Sequence, residues 1–550
     1  MSRKILIIGG VAAGASTAAR LRRMDETADI IMFERGEDIS FANCGLPYYI
    51  GGMIEKRNQL LVQTPKSMHS RFKIDVRTMS NVEKIFPQEK EVQVHDLRSD
   101  EVYREKYDNL VLCPGASPMT PAIPGVDKSN VFLVRNMPDS DRVKQYIDAN
   151  QPAAAVIIGG GAIGLEMAEI LAVRQVNTTL VEAREQVMDA LDPEMATILQ
   201  SSIKKSNIHL CLGEKAAALE GVTQAREVRL ESGKLIQTDM VIIAVGVKPE
   251  SVLARQAGLS IGTNGGIIVD ECLRTSDPYI YAAGDVIEVR DFISGENASI
   301  PLAGPANRQG WVVANNITGR DIKYQGSQGT AIVKVMDTVA AVTGKNEKNL
   351  RKLGRNYMVC HIHPHSHATY YPGSSQMCIK LIFSPGKGEL LGAQIVGKDG
   401  VDKRIDVLAT AIRAGMTVFD LQELELAYAP PFSSAKDPVN MAGYAAANLV
   451  KHDIEAIQWE AVPEYMADGA FLLDVRMPAE VEKGKVDGAN NIPVDKIRER
   501  LEEIPRDQKI LAFCQVGLRS YIAVRILCQL GYNAINIDGG YRLYSFQTRP

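Results

Sequence analysis

Two cysteines stand in settings that call for chemistry rather than packing. Cys44 lies in Ser40-Phe41-Ala42-Asn43-Cys44-Gly45-Leu46-Pro47-Tyr48-Tyr49, a polar, glycine- and proline-bearing run unlike a core segment. Tyr49 stands five residues on, so Cys44 has no local thiol partner. A solitary reactive cysteine must cycle through a mixed disulfide with its substrate or through a sulfenic acid. Cys514 follows the apolar run Ile510-Leu511-Ala512-Phe513 and precedes a helical segment from Ser520 to Leu530. Successive backbone N–H groups in such a loop, with the helix dipole behind them, form an anion cradle suited to a persulfide. Arg519 closes the loop in a C-x4-R spacing. Cys528, beside Leu527 and Leu530, is predicted to be core. The eight cysteines contain no C-x-x-C pair, which argues against zinc ribbons and a disulfide framework and fits a reducing compartment.

Two glycine loops could supply electrons to such a thiol. Gly159, Gly161 and Gly164 form a full G-x-G-x-x-G with Ala162 and Ile163 at the start of a helix, and Glu182 follows at the end of the next strand. That pattern places a dinucleotide's pyrophosphate on the helix N-terminus and a carboxylate on its ribose. Glu182 favours NADH, while Arg184 nearby leaves NADPH possible. The segment from Lys4 to Glu34 repeats the pattern: Gly9, then Val11 in the middle position, Ala12, Ala13 and Gly14, with Glu34 in the ribose position. Gly284-Asp285, far along the chain, suits hydrogen bonding to a flavin's ribityl and phosphate region.

The elements positioning these residues fall into several domains, as 550 residues require. The strand–helix alternation predicts an α/β chain with two Rossmann-like dinucleotide-binding domains. The first covers 1–150 and resumes over 271–325, and the second covers 151–270. An α+β domain follows over 326–452, and a small α/β domain over 453–550. With 45% hydrophobic and 23% charged residues and a formal charge of −4, nothing calls for nucleic acid or an anionic membrane. Lys4 to Ile8 already reads as a strand, so no secretory leader is expected, and Ala153 to Val173 reads as strand-turn-helix rather than a membrane span. A cytoplasmic location is expected.

These motifs together resemble the two-dinucleotide flavoprotein disulfide reductases. The Ser40–Pro47 run, the Gly9–Gly14 loop and Leu302-Ala303-Gly304-Pro305-Ala306-Asn307-Arg308-Gln309-Gly310 resemble the coenzyme A-disulfide reductase family over residues 1–450. The resemblance implies FAD, NADH or NADPH, and coenzyme A. It adds Arg35, Asn43, Val82, Gly115, Gly246, Pro301, Leu302 and Ala303 to the cofactor-binding positions. It implies coenzyme A binding at Ser16, Arg20, Arg23, Ser40, Asn43, Arg71, Lys73, Tyr370, Tyr428 and Lys436, with Cys44 as the redox nucleophile. The third domain resembles that family's dimerisation domain through His367–Gly373 and Tyr428–Pro438. Tyr370 and Tyr428 are then expected to reach the partner subunit's cysteine in a homodimer and donate protons to a leaving thiolate. Ala162 departs from the aromatic residue usual in that family, which predicts an open flavin face, faster nicotinamide entry and more leakage to oxygen.

The last domain resembles rhodanese over residues 455–550, through Asp474–Glu480, Gly488–Pro493 and Cys514–Ser520. Cysteine-dependent phosphatases use the longer C-x5-R loop, which fits a phosphoryl group, whereas C-x4-R suits a sulfur atom. The combined expectation is a persulfide or polysulfide reductase acting on coenzyme A persulfide and disulfide, coupled to sulfur transfer at Cys514 and Arg519. The rival readings are a coenzyme A-disulfide reductase with a regulatory rhodanese, an NADH oxidase or peroxidase with a sulfenate at Cys44, and a sulfurtransferase or sulfur-carrier protein with a flavin sensor half. The run Cys360-His361-Ile362-His363-Pro364-His365-Ser366-His367 invites a metal reading. The histidines of such a strand face are instead expected to diverge into solvent, and no metal is expected.

Overall fold

The structure is a computed structural model that describes residues 2–548. The chain divides into two compact units. One runs up to Glu185 and resumes over Asn207–Gly329; the other takes Gln186–Ser206 and everything from Thr330 onward. The segment Gln186–Ser206, left within 151–270 by the sequence reading, thus clusters with the later chain.

The first unit is built on two five-stranded parallel sheets. In the first, the strand order is Ile280–Ala282, Asn109–Leu112, Lys4–Ile8, Asp29–Glu34, Asp75–Thr78. In the second it is Ile208–Leu212, Asn177–Glu182, Ala154–Ile158, Met240–Ile243, Val131–Phe132. The central strands are continuous apolar runs because helices cover both faces of such a sheet. Ile5, Leu6, Ile7, Ile30, Met32 and Phe33 are almost wholly buried. The span Ala153 to Val173 resolves into the strand Ala154–Ile158 and the helix Ala162–Val173. No described helix is long and apolar enough to cross a membrane.

The same steric device starts both parallel sheets. Gly9 and Gly159 have φ of 97° and 114°, and a Cβ on either would run into backbone. A Cβ on Gly14 would lie 1.9 Å from the Gly9 carbonyl oxygen, and one on Gly164 the same distance from that of Gly159. Val11 breaks the motif without strain because its φ is −99°, and Gly161 likewise has φ of −76° with open space around it. The middle position governs how closely a ligand can approach, not whether the turn forms.

The second unit holds an antiparallel sheet, ordered Ala331–Val335, Thr338–Gly344, Leu390–Gly397, Cys378–Phe383, Met358–Ile362. It also holds a parallel sheet ordered Ala456–Ile457, Ala534–Ile537, Ile510–Phe513, Phe471–Asp474, Asn490–Asn491. A buried ionic cluster joins them. Lys380, wholly buried, is ringed by Asp192 at 2.9 Å, Glu194 and Glu347. These three carboxylates converge as metal ligands would, but the ammonium already occupies their centre.

The histidine run feeds this cluster, contrary to the sequence expectation. His361, His363 and His367 are buried rather than turned to solvent. His361 Nδ1 lies 2.7 Å from Asp538 Oδ2 and its backbone N–H donates to the same carboxylate, while Nε2 lies 3.3 Å from Glu194. His363 Nε2 lies 3.0 Å from the Gly539 carbonyl oxygen. The carboxylates come from distant segments, so no local sequence signal could reveal them. Burial pulls the His361 imidazole down, but Asp538 and then Glu194 outweigh it and raise it to about 9. His363 lacks such a partner, and burial drives it down to about 3. His361 is therefore charged near neutrality and ties the antiparallel sheet to the last domain.

Because the folded value lies above the ordinary 6.5, this ion pair contributes fully below pH 6.5 and fades as pH rises through about 9. His361→Gln is expected to cost about 3 kcal/mol at pH 6.5 and to flatten the fall in stability between pH 6.5 and 9. Denaturant titrations at both pH values check this; an unchanged alkaline slope contradicts it.

Candidate active site

Cys44 is held by a short chain reversal anchored to the first glycine loop. The Ser40 N–H donates to the Gly10 carbonyl at 2.8 Å, and the Ser40 carbonyl accepts from Val62 N–H at 2.9 Å. Ser40 adopts φ of 45°, in the left-handed region that non-glycine residues seldom enter. A single 3-10 turn, Asn43–Gly45, then presents the thiol, and the helix Leu46–Ile50 follows. Leu46, Tyr49, Leu60 and Met137 pack into a small core beneath it. Tyr49, at the position a second cysteine would need, is fixed by its hydroxyl bond to Asp141 at 3.0 Å. All eight cysteines are free, and Cys44 is exposed.

The walls around Cys44 set its electrostatics. Partial desolvation raises the thiol above its ordinary value first of all, and the carboxylates of Glu166 and Asp285 raise it further. Glu166 lies one turn into the helix Ala162–Val173. Burial, reinforced by Glu169, lifts Glu166 to about 7, so it changes charge near neutrality. Burial also raises Asp285, against the pull of Arg135. Tyr48, beside Cys44, is raised by burial and by Glu166 and Glu169. The sequence reading missed Glu166; its signal is that it follows Ala162 by four residues, one helical turn on the same face.

The residues present fit FAD and a nicotinamide dinucleotide. Neither the helix Ala12–Met24 nor Ala162–Val173 has a side-chain cap, so their first N–H groups remain available to a pyrophosphate. Glu34 accepts from Gly10 N–H at 2.9 Å and Gly36 N–H at 3.0 Å. Glu182 accepts from Gly160 N–H at 2.6 Å and Arg184 N–H at 2.9 Å. Both carboxylates thus stand at the ribose end of their loops in matched geometry. Gly284 N–H donates to Gln309 at 2.7 Å, which ties the Gly284-Asp285 turn to the helix Ala303–Ile317. That helix and Ala12–Met24 approach so closely that a Cβ on Gly310 would lie 2.5 Å from the Ala13 carbonyl oxygen.

The remaining predicted positions separate by exposure. Ala162, Ile163, Arg35, Asn43, Pro301 and Ala303 are exposed, and Leu302 caps its helix without a side-chain bond. Gly115 and Gly246 flank the antiparallel pair Ala116–Pro118 and Val247–Pro249. The Val82 side chain is buried in the core, which leaves its backbone to meet a cofactor. Ser16 donates to Asn307 at 2.5 Å. Arg20 stacks over Trp311 at 5.6 Å, and its Nε has no partner among the described residues. Arg23, Arg71 and Lys73 are exposed. Arg22, between them, is buried and spends its guanidinium on the carbonyls of Phe72, Asp25, Glu26 and Lys73. In the second unit, the Tyr370 and Tyr428 hydroxyls lie 2.9 Å apart with both rings exposed, and Lys436 is exposed nearby in sequence.

Cys514 lies fully buried at the floor of its loop. Gly517 N–H donates to its sulfur at 3.1 Å, and the Ser520 hydroxyl lies 3.6 Å away. Gly517, with φ of 104°, lets the loop turn into the helix Leu518–Gln529. Arg519 grips Glu480 through bonds of 2.6 and 2.7 Å, and this carboxylate, followed by the Cys514 sulfur, raises the guanidinium further. Glu480 was quoted in the sequence only as part of a motif; its pairing depends on a 39-residue separation. Behind the loop, Tyr541 N–H donates to the Cys514 carbonyl at 2.7 Å, and Arg476, ion-paired with Asp474, stacks 3.8 Å over Tyr541. Cys528, predicted as core, is exposed on the outer face of its helix.

Removing the Glu166 charge should ease ionisation of Cys44. Glu166→Gln is expected to raise alkylation of Cys44 at pH 8 by about threefold or more, followed by peptide mass spectrometry. An unchanged rate contradicts the electrostatic role given to Glu166.

Comparison with known proteins agrees with this architecture. Residues 3–310 match the family described as pyridine nucleotide-disulphide oxidoreductase, residues 330–438 its dimerisation domain, and residues 459–546 the rhodanese-like domain. A coenzyme A disulfide reductase of Staphylococcus aureus is 36% identical over 444 residues, covering 80% of this chain and 99% of that protein. The crystal structure of reduced Bacillus anthracis CoADR-RHD is 51% identical, with a TM-score of 0.98 over 99% of this chain and 98% of that one. An NAD-dependent persulfide reductase from A. fulgidus is 35% identical, with a TM-score of 0.92 over 98% of this chain and 100% of that one. The chain belongs to the pyridine nucleotide-disulphide oxidoreductase family, with a rhodanese-like domain behind its dimerisation domain.

Proposed function

We propose that this protein is an FAD-dependent NAD(P)H reductase of coenzyme A persulfide and disulfide, coupled to sulfur transfer by its last domain. The observation that carries this reading is Cys44: an exposed thiol with no second cysteine, beside the first dinucleotide loop. The names of the Staphylococcus aureus, Bacillus anthracis and A. fulgidus proteins support the same chemistry. FAD, when bound, supplies the relay of an electron pair from NADH to sulfur.

The chain's own residues do the rest. Deprotonated Cys44 attacks the coenzyme A sulfur of a persulfide, forming a mixed disulfide and releasing hydrosulfide. With a disulfide substrate the leaving group is the second coenzyme A thiolate. Two electrons then cleave the mixed disulfide, restoring Cys44 and freeing the coenzyme A thiolate. Tyr370 and Tyr428 share a hydrogen bond and hold a proton for that thiolate, each serving the partner subunit in a homodimer. Ser16, Arg20, Arg23, Ser40, Asn43, Arg71, Lys73 and Lys436 are the groups that recognise coenzyme A, the cations pairing with its phosphates. The Cys514 thiolate attacks the sulfane sulfur of a persulfide or polysulfide donor, whose remaining sulfur leaves as thiolate or hydrosulfide. The Cys514 persulfide, stabilised by Gly517 N–H and Arg519, then yields its outer sulfur to an acceptor thiolate as the Cys514 thiolate leaves. Ala162 carries no ring over the nicotinamide side of the site, which leaves that approach open.

Cysteine variants separate the two activities. Cys44→Ser is expected to abolish NADH oxidation by coenzyme A disulfide and persulfide while cyanide-accepting sulfur transfer persists. Cys514→Ser is expected to do the reverse for sulfur transfer and to slow polysulfide turnover. Polysulfide turnover untouched by Cys514→Ser contradicts the relay. Persulfide-dependent NADH oxidation in the Cys44→Ser protein contradicts the whole reading.

A further inference from the structure

A second cationic pocket lies within the later unit, apart from both cysteine sites. It has a volume of about 130 Å3 and opens between the helix Pro193–Ile203, the antiparallel sheet and the final helix Gly540–Thr548. One water needs roughly 10–15 Å3 on such a measure, so the space holds several waters or one compact polyatomic ion. Lys205, Lys398 and Arg542 line it, with Ser201, Ser202, Thr338 and Gln376; the Gln376 amide already donates to the His363 carbonyl, and the Thr338 and Ser202 hydroxyls are bonded to each other. No carboxylate is among its lining residues; Asp337, bonded to Lys398, Ser202 and Thr338, stands behind them.

The charges are poorly matched within the chain. Among the described residues, the Arg542 guanidinium has no carboxylate or carbonyl partner; its neighbours are the Phe546 ring at 5.8 Å, the buried Cys378 thiol and the His363 imidazole. Burial accordingly pulls Arg542 below its ordinary value, and no carboxylate offsets this. Lys205 forms no ion pair among the described residues. Lys398 pairs with Asp337, but both side chains are 60% exposed, a setting in which an ion pair is worth little and exchanges readily. Burying part of a guanidinium without a counter-charge is unfavourable, and an anion relieves it. The backbone adds a connection: Arg542 N–H donates to the Gln515 carbonyl at 3.0 Å, in the loop that carries Cys514.

We propose that this pocket binds a small oxyanion, of the class of sulfate, thiosulfate and phosphate, with Arg542 as its principal ligand and Lys205 and Lys398 as supporting charges. The phosphate of a nucleotide shares this chemistry, so the two sources are tested side by side. The reading is independent of the reductase assignment, because it requires only the pocket.

The test is calorimetric titration of the full chain carrying Cys514→Ser, at constant ionic strength, with sodium sulfate, inorganic phosphate and adenosine 3′,5′-bisphosphate. Saturable sulfate binding is expected, weakened about tenfold or more by Arg542→Gln, as for loss of one charge-assisted ligand. Lys205→Gln, on an exposed side chain, is expected to weaken it about threefold and keeps the test decisive should Arg542→Gln not fold. Displacement of sulfate by the bisphosphate supports the site and assigns it to a nucleotide phosphate. Failure to displace supports the site as one for free oxyanions. Absence of saturable sulfate binding, or binding lost with Arg519→Gln but untouched by Arg542→Gln and Lys205→Gln, overturns the proposal.

Discussion

Generating a thiolate at Cys44 costs free energy, because the sulfur is partly desolvated and two carboxylates oppose its charge. Other parts of the first unit are arranged around that cost. Glu166 changes charge near neutrality, so its protonation removes one of the opposing charges within the working range. Tyr49, bonded to Asp141, occupies the place where a second thiol would trap Cys44 in an internal disulfide. The result is an exposed sulfur with no second thiol in place to close an internal disulfide with it.

The two cysteine stations solve the problem of charge in different ways. Cys44 is exposed and opposed by carboxylates, whereas Cys514 is buried and faced by donors, Gly517 N–H and the Ser520 hydroxyl. An exposed thiol suits a bulky disulfide that must be attacked and released. A buried one suits a single sulfur atom that must be sheltered from water and passed on. Glu480 completes the second arrangement by fixing Arg519, which otherwise could swing away from the loop.

What was legible in the sequence was local. Gly9 and Gly14, and Gly159 and Gly164, face steric demands within a single turn, so their spacing announced both loops and hence both parallel sheets of the first unit. Cys514 to Arg519 announced a tight loop for the same reason. The histidine run misled because its partners, Asp538 and Glu194, lie 177 and 167 residues away. Periodicity reports which face a residue occupies, not what the fold brings to that face. Glu480 and Arg542 were invisible for the same reason, whereas Glu166 carried a local signal in its spacing from Ala162; Cys528 shows the converse: apolar neighbours on a helix did not bury it.

The most direct test of a single outward-reacting sulfur is the covalent state of Cys44 itself. After anaerobic exposure of the FAD-loaded enzyme to coenzyme A disulfide, peptide mass spectrometry is expected to find coenzyme A on Cys44, and stoichiometric NADH is expected to remove it. An unmodified Cys44, or an adduct that survives NADH, contradicts the account.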